Sequence, residues 1–125
     1  MIFLQGGIPE KKGIASLPWS VMIFDMNSTK TITVIAILKA QPGKEAVVKQ
    51  ELLALIAPTR KEPGCINYDL HEDMENPARF VFHENWASMT ELEAHLERPH
   101  LKALMAKAGE LLAEPPQLIM AAKIG

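Results

Sequence analysis

Between Arg79 and Leu96 the sequence changes period, and that change constrains the fold more tightly than any other feature. Arg79–Trp86 alternates strictly, with Phe80, Phe82, Glu84 and Trp86 on one face and Arg79, Val81, His83 and Asn85 on the other. Ser88-Met89-Thr90-Glu91 follows at once and reads as a capping box, in which the Ser hydroxyl accepts from the Glu amide and the Glu side chain returns to the Ser amide. From Met89 the apolar residues recur with the helical period of about 3.6. A strand therefore hands over to a helix. Around that junction, from Glu62 to His100, lie all four histidines, the only tyrosine, the only cysteine and one of the two tryptophans.

The flanking segments complete an α+β pattern. Thr31–Ala40 is β-branched and almost continuously apolar, which suits a central strand covered on both faces. Gln41-Pro42-Gly43 breaks it. Lys44–Arg60 is predicted as one helix, with Val48, Leu52, Leu55, Ile56 and Thr59 on one face and Pro58 kinking or loosening its final turn. After Pro63-Gly64, Cys65–Glu72 is a strand in which Tyr68 and Leu70 oppose Asn67, Asp69 and His71. Asn76-Pro77 marks a hairpin connection. The capped helix runs to about Glu97, and Pro99 opens another, His100 to about Ala113. Leu101, Leu104, Met105, Ala108, Leu111 and Leu112 form its expected buried side. Gln117–Ile124 alternates again as a closing strand.

The order β-α-β-β-α-α-β is that of a ferredoxin-like split βαβ fold: a four-stranded antiparallel sheet with helices on one face. The first and last strands are too apolar to leave the other face in water. A second copy of the sheet is the simplest cover, so a homodimer forming a dimeric α/β barrel is expected.

Composition narrows the class. At 125 residues, with 48% hydrophobic and 22% charged residues, the chain makes one globular domain. The net charge of −2, without a Lys/Arg run, disfavours nucleic acid as a partner. No apolar run approaches the roughly 18 residues of a membrane span. One cysteine excludes an internal disulfide and fits a reducing cytoplasm. Residues 1–25 break from the rest with Gly6-Gly7, Pro9, Lys11-Lys12, Gly13 and Pro18. They do not read as a secretory signal, because the lysines follow a short apolar run rather than precede one. They are expected to be an appendage before a domain at 26–125: a cloning remnant, an upstream start, or an arm that docks on a partner subunit. Trp19–Phe24 is a candidate edge strand within them.

E-P-G-C-x-x-Y-x-L from Glu62 to Leu70, then Pro77, F-x-x-x-E-x-W-x-S from Phe80 to Ser88, and His95 and His100 together resemble the antibiotic biosynthesis monooxygenase family. The likeness is strongest to its small stand-alone quinol-monooxygenase-like members and covers roughly residues 31–125. It implies a dimeric α/β barrel of ferredoxin-like subunits. It also implies an oxygenase that works on phenolic or quinol substrates without metal or flavin. Other branches of the family degrade haem or isomerise a small phosphorylated sugar. Where haem-degrading members carry their Asn, Trp and His, this chain places Ala36, His95 and Met105, which disfavours haem degradation.

Under that resemblance a pocket between sheet and helices is expected, lined by Tyr68, Leu70, Phe82, Glu84, Trp86, His95 and Met105. Trp86 would wall it for a flat ring and leave its indole N–H to bond a substrate oxygen. Glu84, on the apolar face, is a candidate catalytic residue with Trp86; if it is structural it needs a partner, and Tyr68 or a capping amide is the candidate. His95 is the candidate general base. His100, at a helix start, is a candidate substrate contact. His71 and His83 point away from the helices, and no H-x-H or H-x-x-x-H spacing occurs, so no metal is expected. Cys65 reads as buried and inert. The partners implied are a small aromatic substrate and dioxygen. Two other readings remain at this point. An isomerase of a small anionic metabolite would draw on Lys39, Arg60, Arg79 or Arg98. A non-catalytic binding module would keep only a vestigial pocket.

Overall fold

The computed structural model describes residues 30–125. The appendage expected at 1–25, with its candidate strand Trp19–Phe24, lies outside the described residues. The described elements are β1 (Ile32–Lys39), α1 (Glu45–Ala54), α2 (Ile56–Arg60), β2 (Cys65–Glu72), β3 (Arg79–Trp86), α3 (Met89–Leu96), α4 (Pro99–Leu111) and β4 (Gln117–Ala121). The strands form one antiparallel sheet in the order β2-β3-β1-β4. This is the split βαβ arrangement expected from the sequence.

Alternation sets the two faces of the sheet. Val34, Ala36 and Leu38 of β1, Phe80, Phe82, Glu84 and Trp86 of β3, and Tyr68 of β2 all turn inward and are buried. The helices cover this face with Val48, Leu52, Leu55, Leu92, Leu104 and Leu111. The register places Glu84 between Val34 on one side and Tyr68 on the other, and Trp86 opposite Cys65. The opposite face carries Thr33, Ile35 and Ile37 of β1, all half-buried, and Ile119 of β4, which is exposed.

The predicted helix Lys44–Arg60 is two helices, α1 and α2, separated at Leu55. Pro58 supplies the reason: it has no N–H to give to the Ala54 carbonyl, so the ladder breaks one turn before it. The Leu55 amide turns to Leu52 instead, at 3.1 Å. The capping box at Ser88 forms, but with a different return bond. The Glu91 amide donates to the Ser88 hydroxyl at 3.4 Å, and that hydroxyl donates to the Glu91 carboxylate. Arg98 is extended ahead of Pro99, as a residue before proline must be, and α4 begins at the proline.

Gly64 joins α2 to β2 with φ +84°. A Cβ there would lie 2.0 Å from Cγ of Glu91, so the turn needs glycine twice over: for its backbone and for the close approach of α3. The Gly64 carbonyl also accepts from the Ala87 amide at 2.8 Å. Glu62, just before this turn, is thereby fixed beneath α3 and the start of α4.

Candidate active site

The inner face of β3 delivers Glu84 and Trp86 to the layer under α3, because residues two apart on a strand share a face. Trp86 is fully buried. Its indole N–H donates to Glu84 Oε1 at 2.9 Å. This corrects two expectations. The indole is not free for a substrate oxygen, and the partner of Glu84 is Trp86 rather than Tyr68 or a capping amide. Burial pushes the Glu84 carboxyl up to about 7, against the opposing pull of the indole bond, and the charge of Glu62 adds to the rise. Near neutral pH, Glu84 is therefore poised between acid and carboxylate.

His95 enters from α3, one turn beyond Leu92, and is 2% exposed. Its ring lies over Trp86 with centroids 4.5 Å apart and meets Tyr68 edge-on at 5.5 Å. Tyr68 in turn stacks on Phe82 at 4.5 Å. Burial holds the imidazole pKa below its ordinary value, while the hydrogen bond and charge of Glu62 pull it upward. Burial, and next the charge of Glu84, raise the Tyr68 phenol far above the usual range, so it stays protonated. Cys65 is half-buried, and burial raises its thiol as well, which agrees with an inert role.

The residue that sequence reasoning missed is Glu62. It is buried, and its carboxylate faces His95 Nδ1 at 3.1 and 3.2 Å and His100 Nε2 at 2.8 Å. Arg98 approaches its Oε1 at 3.5 Å, an ion pair without hydrogen-bond alignment. Glu62 sits in a turn, outside any periodic pattern, and its partners lie 33 and 38 residues away. The only available signal was its place at the head of the E-P-G-C run.

Of the expected lining, Tyr68, Phe82, Glu84, Trp86 and His95 come together, and His100 joins through Glu62. Leu70 is half-buried against the core beside Phe82. Met105 does not belong: it is 45% exposed. It lies about 100° around α4 from the buried Leu104, which carries it off the inward stripe. His71 is exposed and His83 half-buried on the outer face, as expected.

The spacing argument against a metal considered the histidines alone. Glu62, His95 and His100 offer donor atoms that all lie within 4.8 Å of one another, a nitrogen–oxygen set of the kind that takes a divalent transition metal. Those atoms also satisfy one another by hydrogen bonding, and the Arg98 guanidinium sits where it opposes a cation. Two of the other cationic candidates are committed elsewhere, Arg60 to Asp69 and Arg79 to Asp73, both at the surface, and Lys39 is exposed at the end of β1.

Fold and cluster together define a small ferredoxin-like α+β domain with a buried carboxylate–imidazole–indole site. The profile of the antibiotic biosynthesis monooxygenase family matches residues 31–107, and the chain belongs to that family. Rv0793 of Mycobacterium tuberculosis is 36% identical over 87 residues, covering 70% of this chain and 85% of the relative. Its solved structure superposes with a TM-score of 0.73 over 77% of this chain and 97% of that one. The "Uncharacterized protein sll1783" of Synechocystis is 35% identical over 91 residues, 70% of this chain, and the match spans 59% of that longer relative. The "Probable quinol monooxygenase YgiN" of Escherichia coli K12 is 39% identical over 84 residues, 58% of this chain and 79% of the relative.

Proposed function

We propose that this chain is a monooxygenase that oxidises a quinol or polycyclic phenol with dioxygen, using His95 as general base. The observation that carries the reading is the placement of His95. It is a buried imidazole packed against Trp86 and Tyr68, and burial lowers its pKa, which favours the neutral form that a general base must start from. Trp86 and Tyr68 pack against His95, and Phe82 stacks on Tyr68, an apolar aromatic setting that suits a flat substrate ring. Glu84 and His100 supply polar contacts at its edge.

In this reading His95 takes the phenolic proton. The phenolate gives one electron to dioxygen, and the radical pair joins at a ring carbon to form a peroxide. Loss of water leaves one oxygen atom on the ring. A hydroquinone and O₂ thus become a hydroxyquinone and water; the substrate supplies all four electrons, so the balance requires no flavin or metal. The dry inner layer strengthens charge interactions with the anion and keeps water from the intermediate.

Family membership and the similarity to YgiN support the monooxygenase class. The commitment of Arg60, Arg79 and Arg98 to carboxylates weighs against a small anionic metabolite. No helix among the described residues is long and apolar enough to cross a membrane, and a single free cysteine accords with a cytoplasmic setting. The half-buried Ile35 and Ile37 and the exposed Ile119 favour a homodimer through the outer sheet faces, burying more than the roughly 1,200 Å² of a standard interface. The test of activity is oxygen uptake by metal-stripped protein across hydroquinones and anthrones. One ¹⁸O atom from labelled dioxygen is expected in the product. Uptake no faster than the uncatalysed background for every substrate would contradict the proposal.

A further inference from the structure

We infer that Glu62 is a positioning residue that fixes the proton of His95 on Nδ1 and so leaves Nε2 as the basic nitrogen. The catalytic half of this inference rests on the function proposed above; the tautomer does not.

The argument is one of donors and acceptors. An ionised carboxylate only accepts, so the nitrogen bonded to it must carry hydrogen. His95 Nδ1 lies 3.1 and 3.2 Å from the two Glu62 oxygens, a bifurcated bond that leaves the ring little freedom to turn. A neutral imidazole with its hydrogen on Nδ1 has its lone pair on Nε2. The ring that carries it packs against both Trp86 and Tyr68. Nε2 is thereby the nitrogen left to take a proton, on a ring held in the aromatic layer by Trp86 and Tyr68.

Glu62 is itself held in place. His100 Nε2 donates to its Oε2 at 2.8 Å, and Arg98 balances its Oε1. Its backbone is pinned by the bonds from its amide to the Thr59 carbonyl, at 3.0 Å, and from the Cys65 amide to its own carbonyl, at 3.2 Å. Gly64 packed on Glu91 closes the turn behind it. When Nε2 accepts a proton, the imidazolium forms against a carboxylate already in position, the logic by which a buried aspartate serves the histidine of a serine protease. No sequence spacing announces this pairing, and nothing about a flat apolar pocket requires it.

The experiment uses full-length, chelator-treated protein with ¹⁵N-labelled histidine, compared with Glu62→Gln and Glu62→Asp. Long-range ¹H–¹⁵N spectra report which ring nitrogen carries the proton, with no substrate present. Wild type is expected to show His95 as the Nδ1–H tautomer. Glu62→Gln, whose amide can donate as well as accept, is expected to admit the Nε2–H tautomer. On a turned-over phenol it should lower kcat by about 10²-fold, the low end of general-base help, with little change in KM. Glu62→Asp keeps an acceptor-only group and should hold the Nδ1–H form with part of the rate restored, which also covers the case in which Glu62→Gln does not fold. An Nε2–H tautomer in wild type would overturn the inference. So would an unchanged tautomer and kcat in Glu62→Gln. Stoichiometric Zn²⁺ binding that strips the Nδ1 proton would make the cluster a metal site and overturn it too. An Nδ1–H tautomer that depends on Glu62, in a protein that oxidises no phenol, would sustain the positioning role and remove the proposed function alone.

Discussion

On the inner face of β3, Glu84 and Trp86 share a hydrogen bond in a layer closed to water; on its outer face, Asn85 and His83 meet Asn67 and Thr33 near solvent. Both faces carry polar side chains at the same end of the same strand, and the two clusters differ in kind. The outer one is built mainly of neutral groups: Thr33 donates to Asn85 at 2.6 Å, Asn85 to Asn67 at 2.7 Å, and Asn67 to the His83 carbonyl at 3.0 Å. Asn67 also donates to the Asp69 carboxylate at 2.9 Å and lies 3.3 Å from His83 Nδ1, so charged and titratable groups border this network near solvent and are not buried in it. The inner cluster sets titratable groups against burial, so its protonation states are displaced. The comparison teaches that polarity on a strand marks chemistry only where the protein makes ionisation costly.

Removing the inner aromatic should have the largest effect on stability. Trp86→Ala deletes a fully buried ring, the partner of Glu84 and the surface beneath His95. A loss of about 3–5 kcal/mol is expected in denaturant unfolding, the usual cost for a buried Trp. A loss comparable to that of an outer-face substitution would erase the distinction between the faces.

Glu84→Gln comes next, and its effect should depend on pH. Burial raises the carboxyl from 4.5 to about 7, so between those values the folded state holds a proton that the unfolded chain releases. Below pH 4.5 the acid is protonated in both states and its stabilising contribution is complete. That contribution is lost as pH rises toward and through 7. At about 1.4 kcal/mol per pH step, the span is worth roughly 3 kcal/mol. The amide of the variant still accepts from the indole but cannot ionise. The stability difference should therefore shift in favour of Glu84→Gln as pH goes from 4 to 8, read from unfolding curves across that range. A difference independent of pH would mean that Glu84 is an ordinary carboxylate.

The smallest effect belongs to the outer face. Asn85→Ala removes one link of the outer network and should cost about 1 kcal/mol, the net worth of an ordinary hydrogen bond, with a smaller pH dependence than Glu84→Gln between 4 and 8. A larger loss that grows with dilution would show that the network is buried in a dimer.

Much of the fold was legible because it rests on periodicity. The alternation of β3, the Ser88 cap and the proline at the head of α4 each state their structure locally. The break at Leu55 was only half legible, since Pro58 announces a disturbance without its position. The site was readable where it follows a strand face, as for Glu84 and Trp86, and unreadable where it comes from a turn. Glu62 reaches His95 only because the Pro63-Gly64 turn tucks under α3, and no pattern within either segment encodes that contact. Met105 fails for the opposite reason: helical spacing from Leu101 includes it, but the core-facing stripe of α4 is narrower and runs through Leu101, Leu104, Ala108 and Leu111.

The central claim is that His95 takes the substrate's proton. The measurement that meets it most directly is the rate loss in His95→Ala compared across phenols of graded acidity, one set neutral and one already ionised at the assay pH. A phenol with a pKa near 10 is almost wholly protonated at neutral pH, so its loss should reach at least about 10²-fold. For phenols already ionised the loss should shrink toward none, because they need no base. An equal loss in both sets would show that His95 only positions the ring, and unchanged rates in both would place the base elsewhere.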